Sequence, residues 1–159
     1  MHTLAKVINC ILKMTNRLQY QIKQVDWQPA EQELTAIRMT VFVDEQNVPI
    51  ELEIDGLDPE CIHVLASDST NKVIGAARML EDGHIGRMAV LREYRNKGIG
   101  SALLQSLIDI AKTHNLQRVY LYAQINAIKF YLNHQFTKYG KEFMDAGIPH
   151  IAMQRLINS

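Results

Sequence analysis

The chain has little cysteine: Cys10 and Cys61 only, far apart and without any zinc-ligand spacing. That excludes a disulfide framework and a cysteine-built metal centre. Two reduced thiols fit a cytoplasmic protein, with a catalytic thiol at Cys61 as the alternative use. Charge of one sign is also lacking, since 17 Lys and Arg face 17 Asp and Glu. Without a basic field, neither nucleic acid nor an anionic membrane is an expected partner. No apolar run approaches the ~20 residues that span a bilayer. The stretch Val7 to Leu12 is short for a signal sequence, and no small-residue cleavage site follows it. Repeats and low-complexity tracts are missing. So are the phosphate-binding loop Gly-x-x-x-x-Gly-Lys-Ser/Thr and the dinucleotide Gly-x-Gly-x-x-Gly fingerprint.

What is present suits one domain. The length, 159 residues, allows a single core. Residues 1–17 read as an N-terminal extension dispensable for chemistry, and 18–159 as one α/β domain. Leu18 to Val25 alternates as a strand. Pro29 opens a helix that carries Leu34, Ile37, Arg38, Val41 and Phe42 at helical spacing and ends near Val43. Asp44 to Glu60 is acidic, interrupted by Pro49, Gly56 and Pro59, and reads as a long functional loop. Strands follow at Ile62 to Ser67, Val73 to Leu80 and Ile85 to Val90, the last two joined across Asp82-Gly83. Gly98 to Thr113 is an amphipathic helix, Val119 to Ala123 a strand, and Asn126 to Asn133 a short helix. Two last strands lie near Thr137 and from Ile151 to Leu156. Antiparallel strands that lead into a strand–helix–strand unit imply a mixed sheet, in which that unit pairs in parallel.

Chemistry concentrates in Arg95-Asn96-Lys97-Gly98-Ile99-Gly100, between a strand and a helix start. A helix start offers unpaired N–H groups and the positive end of its dipole, so phosphate binds there. Gly98 and Gly100 let a ligand approach the backbone. Arg95 and Lys97 add charge that suits a diphosphate. Taken alone, the hexapeptide fits a solvated basic turn equally well.

Its surroundings decide between those readings. Gly86 to Gly100, with Met88-Ala89-Val90 at its strand end, resembles motif A of the GNAT acetyltransferase superfamily. Asn126-Ala127-Ile128-Lys129-Phe130-Tyr131 resembles motif B. The resemblance runs from Leu18 to Leu156. Phe42-Val43-Asp44-Glu45-Gln46 and Asp145-Ala146-Gly147-Ile148-Pro149-His150 are similar to an ElaA/YjcF-like bacterial subgroup. One departure is Gln135 before Phe136, where the family usually has Gly.

The resemblance implies the GNAT acyl-CoA N-acyltransferase fold, a mixed central sheet flanked by helices, and an acetyl-CoA-dependent N-acetyltransferase that needs no metal. Backbone at Met88, Ala89 and Val90 would pair with the pantetheine arm as an added strand does. Arg95, Asn96, Lys97, Gly98, Ile99 and Gly100 would hold the pyrophosphate, with Asn126 meeting the cofactor from the next helix. Tyr131 would protonate the leaving thiolate. Glu45 is the first choice of base, ahead of Glu53, Asp55, His63 and His150. Arg38 would anchor an acceptor anion or pair with the loop acids. The acceptor would be a small-molecule or protein amine, and homodimers are common in the family. Two other readings compete. Arg38, Phe42, Asp55 and Asp58 also resemble acyl-homoserine-lactone synthases, which generally lack the Arg-x-x-Gly-x-Gly loop. A non-catalytic CoA-binding regulatory module would bind acetyl-CoA without turnover.

Overall fold

The computed structural model describes residues 18–157, so the proposed extension lies outside the described residues. β1 (Tyr20–Val25), β2 (Ile62–Asp68), β3 (Val73–Met79) and β4 (Ile85–Val90) form an antiparallel sheet in that order. β5 (Arg118–Gln124), β6 (Thr137–Asp145) and β7 (Ile148–Leu156) form a second sheet with β7 central. α1 (Trp27–Arg38) covers one face of the first sheet, and α3 (Ile99–Thr113) covers the other. A single helical turn, α2 (Ile50–Glu53), precedes β2, and α4 (Ile128–Asn133) follows β5.

Side-chain spacing dictates this layering. Ala30, Leu34, Ile37 and Val41 recur every three or four residues and bury against Leu65, Ala76 and Ala89. The opposite side chains, Val64, Ala66 and Ile74, meet Leu103, Leu104, Leu107 and Ile108 of α3. Because β2 and β3 are covered on both faces, they read as nearly continuous apolar runs. Each fully buried Leu or Ile of the α3 stripe contributes about 1.5–3 kcal/mol of transfer free energy. Gly75 sets how closely helix and sheet approach: a Cβ there would lie 3.0 Å from both Ile99 Cγ2 and Leu103 Cδ1.

Four expectations are refined. First, the strand–helix–strand unit makes only one parallel bridge, His84 to Tyr120, with Tyr120 N–H donating to Gly83 O at 3.1 Å. Beyond that bridge β4 and β5 pair with no common ladder, and the sheet splits between them. Second, the first helix passes at Met39 into a π-helical segment, Met39–Glu45. π segments of this kind are rare and sit often at functional sites. Third, the acidic loop is not irregular throughout, since it contains α2 and a 3-10 turn at Asp58–Glu60. Fourth, the last two strands are longer than expected. They meet in a tight hairpin at Ala146 (φ 51°) and Gly147 (φ 75°), a primed turn geometry. Gln135 takes φ 66°, which explains a Gly preference there. For a non-glycine residue that conformation costs about 1–2 kcal/mol.

Candidate functional site

The split between β4 and β5 is built into β4 itself. Ala76 pairs with Ala89 and Arg78 with Gly86, so Arg87 and Met88 together oppose Ala77. This is a β-bulge, and Arg87 occupies the left-handed region at φ 51° to make it. Leu91 N–H donates to Ile74 O at 3.0 Å, which turns Leu91 toward β3. Groups alternate along an antiparallel strand, so the amide and carbonyl of Val90 point the other way, into the gap. The carbonyl accepts a hydrogen bond from Arg95 Nε at 2.9 Å.

The loop that follows is shaped by backbone. Asn96 (φ 61°) and Gly98 (φ 86°) both take positive φ, and Gly98 is the N-cap of α3. Glycine supplies no side-chain cap, so the first amides of α3 keep no partner from their cap residue. Alternating hand over successive residues gathers N–H groups into an anion-binding concavity. A Cβ on Gly100 would find only ordinary contacts, 3.6 Å to Phe130 Cζ and 4.0 Å to Val90 Cγ2. Packing inside the protein therefore leaves room for a Cβ there. Lys97 is exposed, its ammonium 5.8 Å from the Tyr94 ring centroid. Ile99 is buried under the loop and anchors it to the core.

Arg95 faces a carboxylate. Its Nη1 and Nη2 donate to Glu45 Oε1 and Oε2 at 2.5 and 2.9 Å, and Arg92 Nη2 lies 3.5 Å from the same carboxylate. The guanidinium of Arg95 holds Glu45 below the usual carboxylate range, against the opposing effect of burial. The π-helix thereby ends tied to the loop that leads into α3.

α4 delivers Tyr131 to the gap. Its hydroxyl lies 3.4 Å from Met88 Sδ, beside the bulge. Burial pushes the phenol's pKa to about 12, so it keeps its proton at neutral pH. Phe130 and Phe136 pack edge-on against its ring, with centroids at 5.0 and 5.8 Å. Asn126 is exposed in the 3-10 turn Ile125–Ala127 that leads into α4.

The acidic segment is clamped by arginines. Arg38 Nε donates to Glu53 Oε1 at 2.6 Å, and its Nη1 and Nη2 to Asp58 Oδ1 and Oδ2 at 2.7 and 3.1 Å. Arg78 bonds Asp55 and also Asp58 Oδ1, the latter at 2.8 Å. Arg87 Nη2 donates to the carbonyls of Leu52 and Glu53 at 3.2 and 3.0 Å. Arg38, Glu53, Asp58 and Arg78 are all buried. Burial alone would raise the Asp55 carboxyl, but hydrogen bonding and charge from Arg78 bring it down to about 2. His63 is buried as well, and its Nε2 donates to Asp58 O at 2.8 Å. On the neighbouring sheet, Gln124 Nε2 donates to Gln46 Oε1 at 2.9 Å, bridging from β5 to the end of the π-helix.

A split sheet, an uncapped glycine-led helix start and a half-buried tyrosine at the gap form one constellation. The GNAT acetyltransferase domain model matches residues 26–157. This chain belongs to the GNAT acetyltransferase family. It is 39% identical over 123 residues to the "Uncharacterized N-acetyltransferase YjcF" of Bacillus subtilis, covering 75% of this chain and 87% of that one. The crystal structure of Escherichia coli ElaA superposes with a TM-score of 0.75 at 28% identity, covering 87% of this chain and 99% of that one. An acyl-CoA N-acyltransferase from Pseudomonas aeruginosa gives a TM-score of 0.73, also at 28% identity and with the same coverage of 87% and 99%. The chain falls in the ElaA/YjcF-like part of the family.

As a GNAT chain it has an acyl-CoA-using fold, and the residues singled out from sequence divide into two groups. Met88, Val90, Arg95 to Gly100 and Tyr131 converge on the split between β4 and β5, with Glu45 reaching them through Arg95. Ala89 faces α1 instead, buried with Ala76 and Leu65. Glu53, Arg38 and His63 belong to the buried ionic clamp, with Asp55 at its exposed edge. Sequence reasoning did not single out Arg78 or Arg87. A signal existed for Arg78: a guanidinium inside the apolar run Val73–Met79 needs a buried counter-charge. For Arg87 the bulge that aims it leaves no sequence mark.

Proposed function

We propose that this chain moves the acetyl group of acetyl-CoA directly onto a primary amine. The observation that carries the reading is the α3 start, uncapped and led by left-handed Asn96 and Gly98, opening beside the unpaired edge of β4. Amides at that start suit a pyrophosphate. The Val90 edge, level with the gap, suits the amides of an extended pantetheine arm. The site's polar edge and bare glycines thus fit a coenzyme A thioester.

The chemistry needs little else. The amine lone pair attacks the thioester carbonyl carbon, the nitrogen gives up one proton to a base or to solvent, and the C–S bond breaks toward sulfur. The Tyr131 hydroxyl gives its proton to the departing thiolate, and solvent restores it. Negative charge on the carbonyl oxygen is met by a strand N–H of β4. Glu45 supports the reaction by fixing Arg95 between the loop and Val90 O. A small-molecule amine and a protein amine both remain within this reading.

The test is thiol release from acetyl-CoA against a panel holding spermidine, an aminoglycoside, an amino-acid amide and a peptide N-terminus. Tyr131→Phe should lower turnover by about 100-fold, the ordinary scale for a positioned acid, with acetyl-CoA affinity little changed. Full turnover in that variant would remove Tyr131 from the chemistry. Failure to bind acetyl-CoA would remove the whole reading.

A further inference from the structure

We propose that His150 is the base that takes the proton from the acceptor amine. This rests on the acetyl-transfer reading above and adds the residue that completes it. His150 Nδ1 lies 2.6 Å from Ile148 O. A carbonyl can only accept, so Nδ1 carries the proton. In the neutral ring Nε2 then holds the lone pair, and it has no hydrogen-bond partner among the described residues. The backbone has fixed the tautomer that can act as a base.

Its position follows from register. β4 and β5 touch at His84 and Tyr120 and then run in the same direction. Beyond the bridge the two strands part, and Gln124, at the end of β5, is paired with His150 of β7 and bonded to Gln46 at the end of the π-helix. Ala123 and Ile151 face the α3 core, so Gln124 and His150 face the other side, the side of α1. Met88 packs with the α3 core and touches Tyr131. Acid and base therefore flank the gap from opposite faces. Direct transfer requires that: thiolate leaves on one side while the amine arrives on the other.

The surroundings of His150 suit an incoming ammonium. Its ring stacks on Phe143 at 5.9 Å, and Tyr122 meets Phe143 edge-on at 5.3 Å. Tyr122 and Phe143 are 46% and 36% exposed, so aromatic faces are available to attract a cation before it is deprotonated. The rival bases are engaged. Glu45 is held by Arg95, Glu53 by Arg38 and Asp55 by Arg78, while His63 is sealed under the clamp.

The experiment follows CoA release from acetyl-CoA with two acceptors: n-butylamine, which is protonated at neutral pH, and hydroxylamine, which is not. Acetyl-CoA affinity is measured beside it. In His150→Asn the side-chain amide still donates to Ile148 O but offers no base, and His150→Gln provides an independent second variant. Both should lose about 100-fold with n-butylamine, the scale of a general base, while hydroxylamine turnover and acetyl-CoA affinity stay near wild type. Undiminished n-butylamine turnover overturns the assignment. So does an equal fall with both acceptors, which would mark His150 as structural. A wild-type chain that binds no acetyl-CoA, or binds it and acetylates neither acceptor, overturns the acetyl-transfer reading and this base with it.

Discussion

The loop Arg95–Gly100 and the acidic segment Glu51–Glu60 flank the same gap but are built on opposite principles. The loop gets its shape from backbone: two positive-φ residues, an uncapped helix start and glycines that meet little. Its basic residues stay partly or fully exposed. The acidic segment is held by side chains. Arginines from α1, β3 and β4 reach into it, and most of the ion pairs are buried. The loop leaves the first amides of α3 without a side-chain cap and pairs only Arg95, with Glu45 and Val90 O. A region that must hold still pairs every charge it buries.

Removing one arginine from the clamp should give the largest loss of stability. Arg38→Ala leaves Glu53 to Arg87 alone and Asp58 to Arg78 alone in a buried site, and breaking a buried pair from one side costs about 3–5 kcal/mol. Urea unfolding should show the fall in midpoint, while any folded fraction keeps its acetyl-CoA affinity. A change below about 1 kcal/mol would mean the clamp is solvated, as surface pairs are. Gly98→Ala is the matching test on the loop. A Cβ there has room, 3.7 Å from Tyr20 Oη, but φ is 86°. Holding a non-glycine residue in so sparse a region costs about 1–3 kcal/mol. The loop relieves that strain by moving, so acetyl-CoA affinity should fall more than stability does. Unchanged affinity would show that the loop conformation does not matter to binding.

This contrast also explains what could be read from the sequence. The loop is local: Gly98 and Gly100 stand beside Arg95 and Lys97 in the chain, and helix-start physics needs nothing distant. Strand and helix positions were similarly plain from the spacing of Leu34, Ile37 and Val41 or of Leu103, Leu104 and Leu107. The acidic segment read as an open loop because its partners, Arg38, Arg78 and Arg87, are 15 to 35 residues away. The split of the sheet was hidden for the same reason. It depends on a bulge at Arg87, a residue with no intrinsic liking for φ 51°. His150 appeared only as one of several bases, since its tautomer is set by a carbonyl that no pattern reveals.

A smaller effect separates the two regions by pH. Asp55 titrates near 2 in the folded chain, against about 3.9 for an unfolded Asp. The unfolded state therefore takes up this proton first as pH falls. Stability from the Asp55–Arg78 pair is present above about pH 4 and drains away as pH drops toward 2, and because Asp55 is exposed, solvent screening keeps the whole effect small. Asp58, held down by Arg38 and Arg78 against the cost of burial, adds in the same direction. Asp55→Asn removes its share, so the variant should be less stable than wild type at neutral pH and lose less on acidification. Unfolding midpoints in urea from pH 5 to pH 2.5 would display converging curves. Parallel curves would mean that Asp55 carries the same pKa folded and unfolded, and that the outer edge of the clamp is open to water in the way the Arg95–Gly100 loop is.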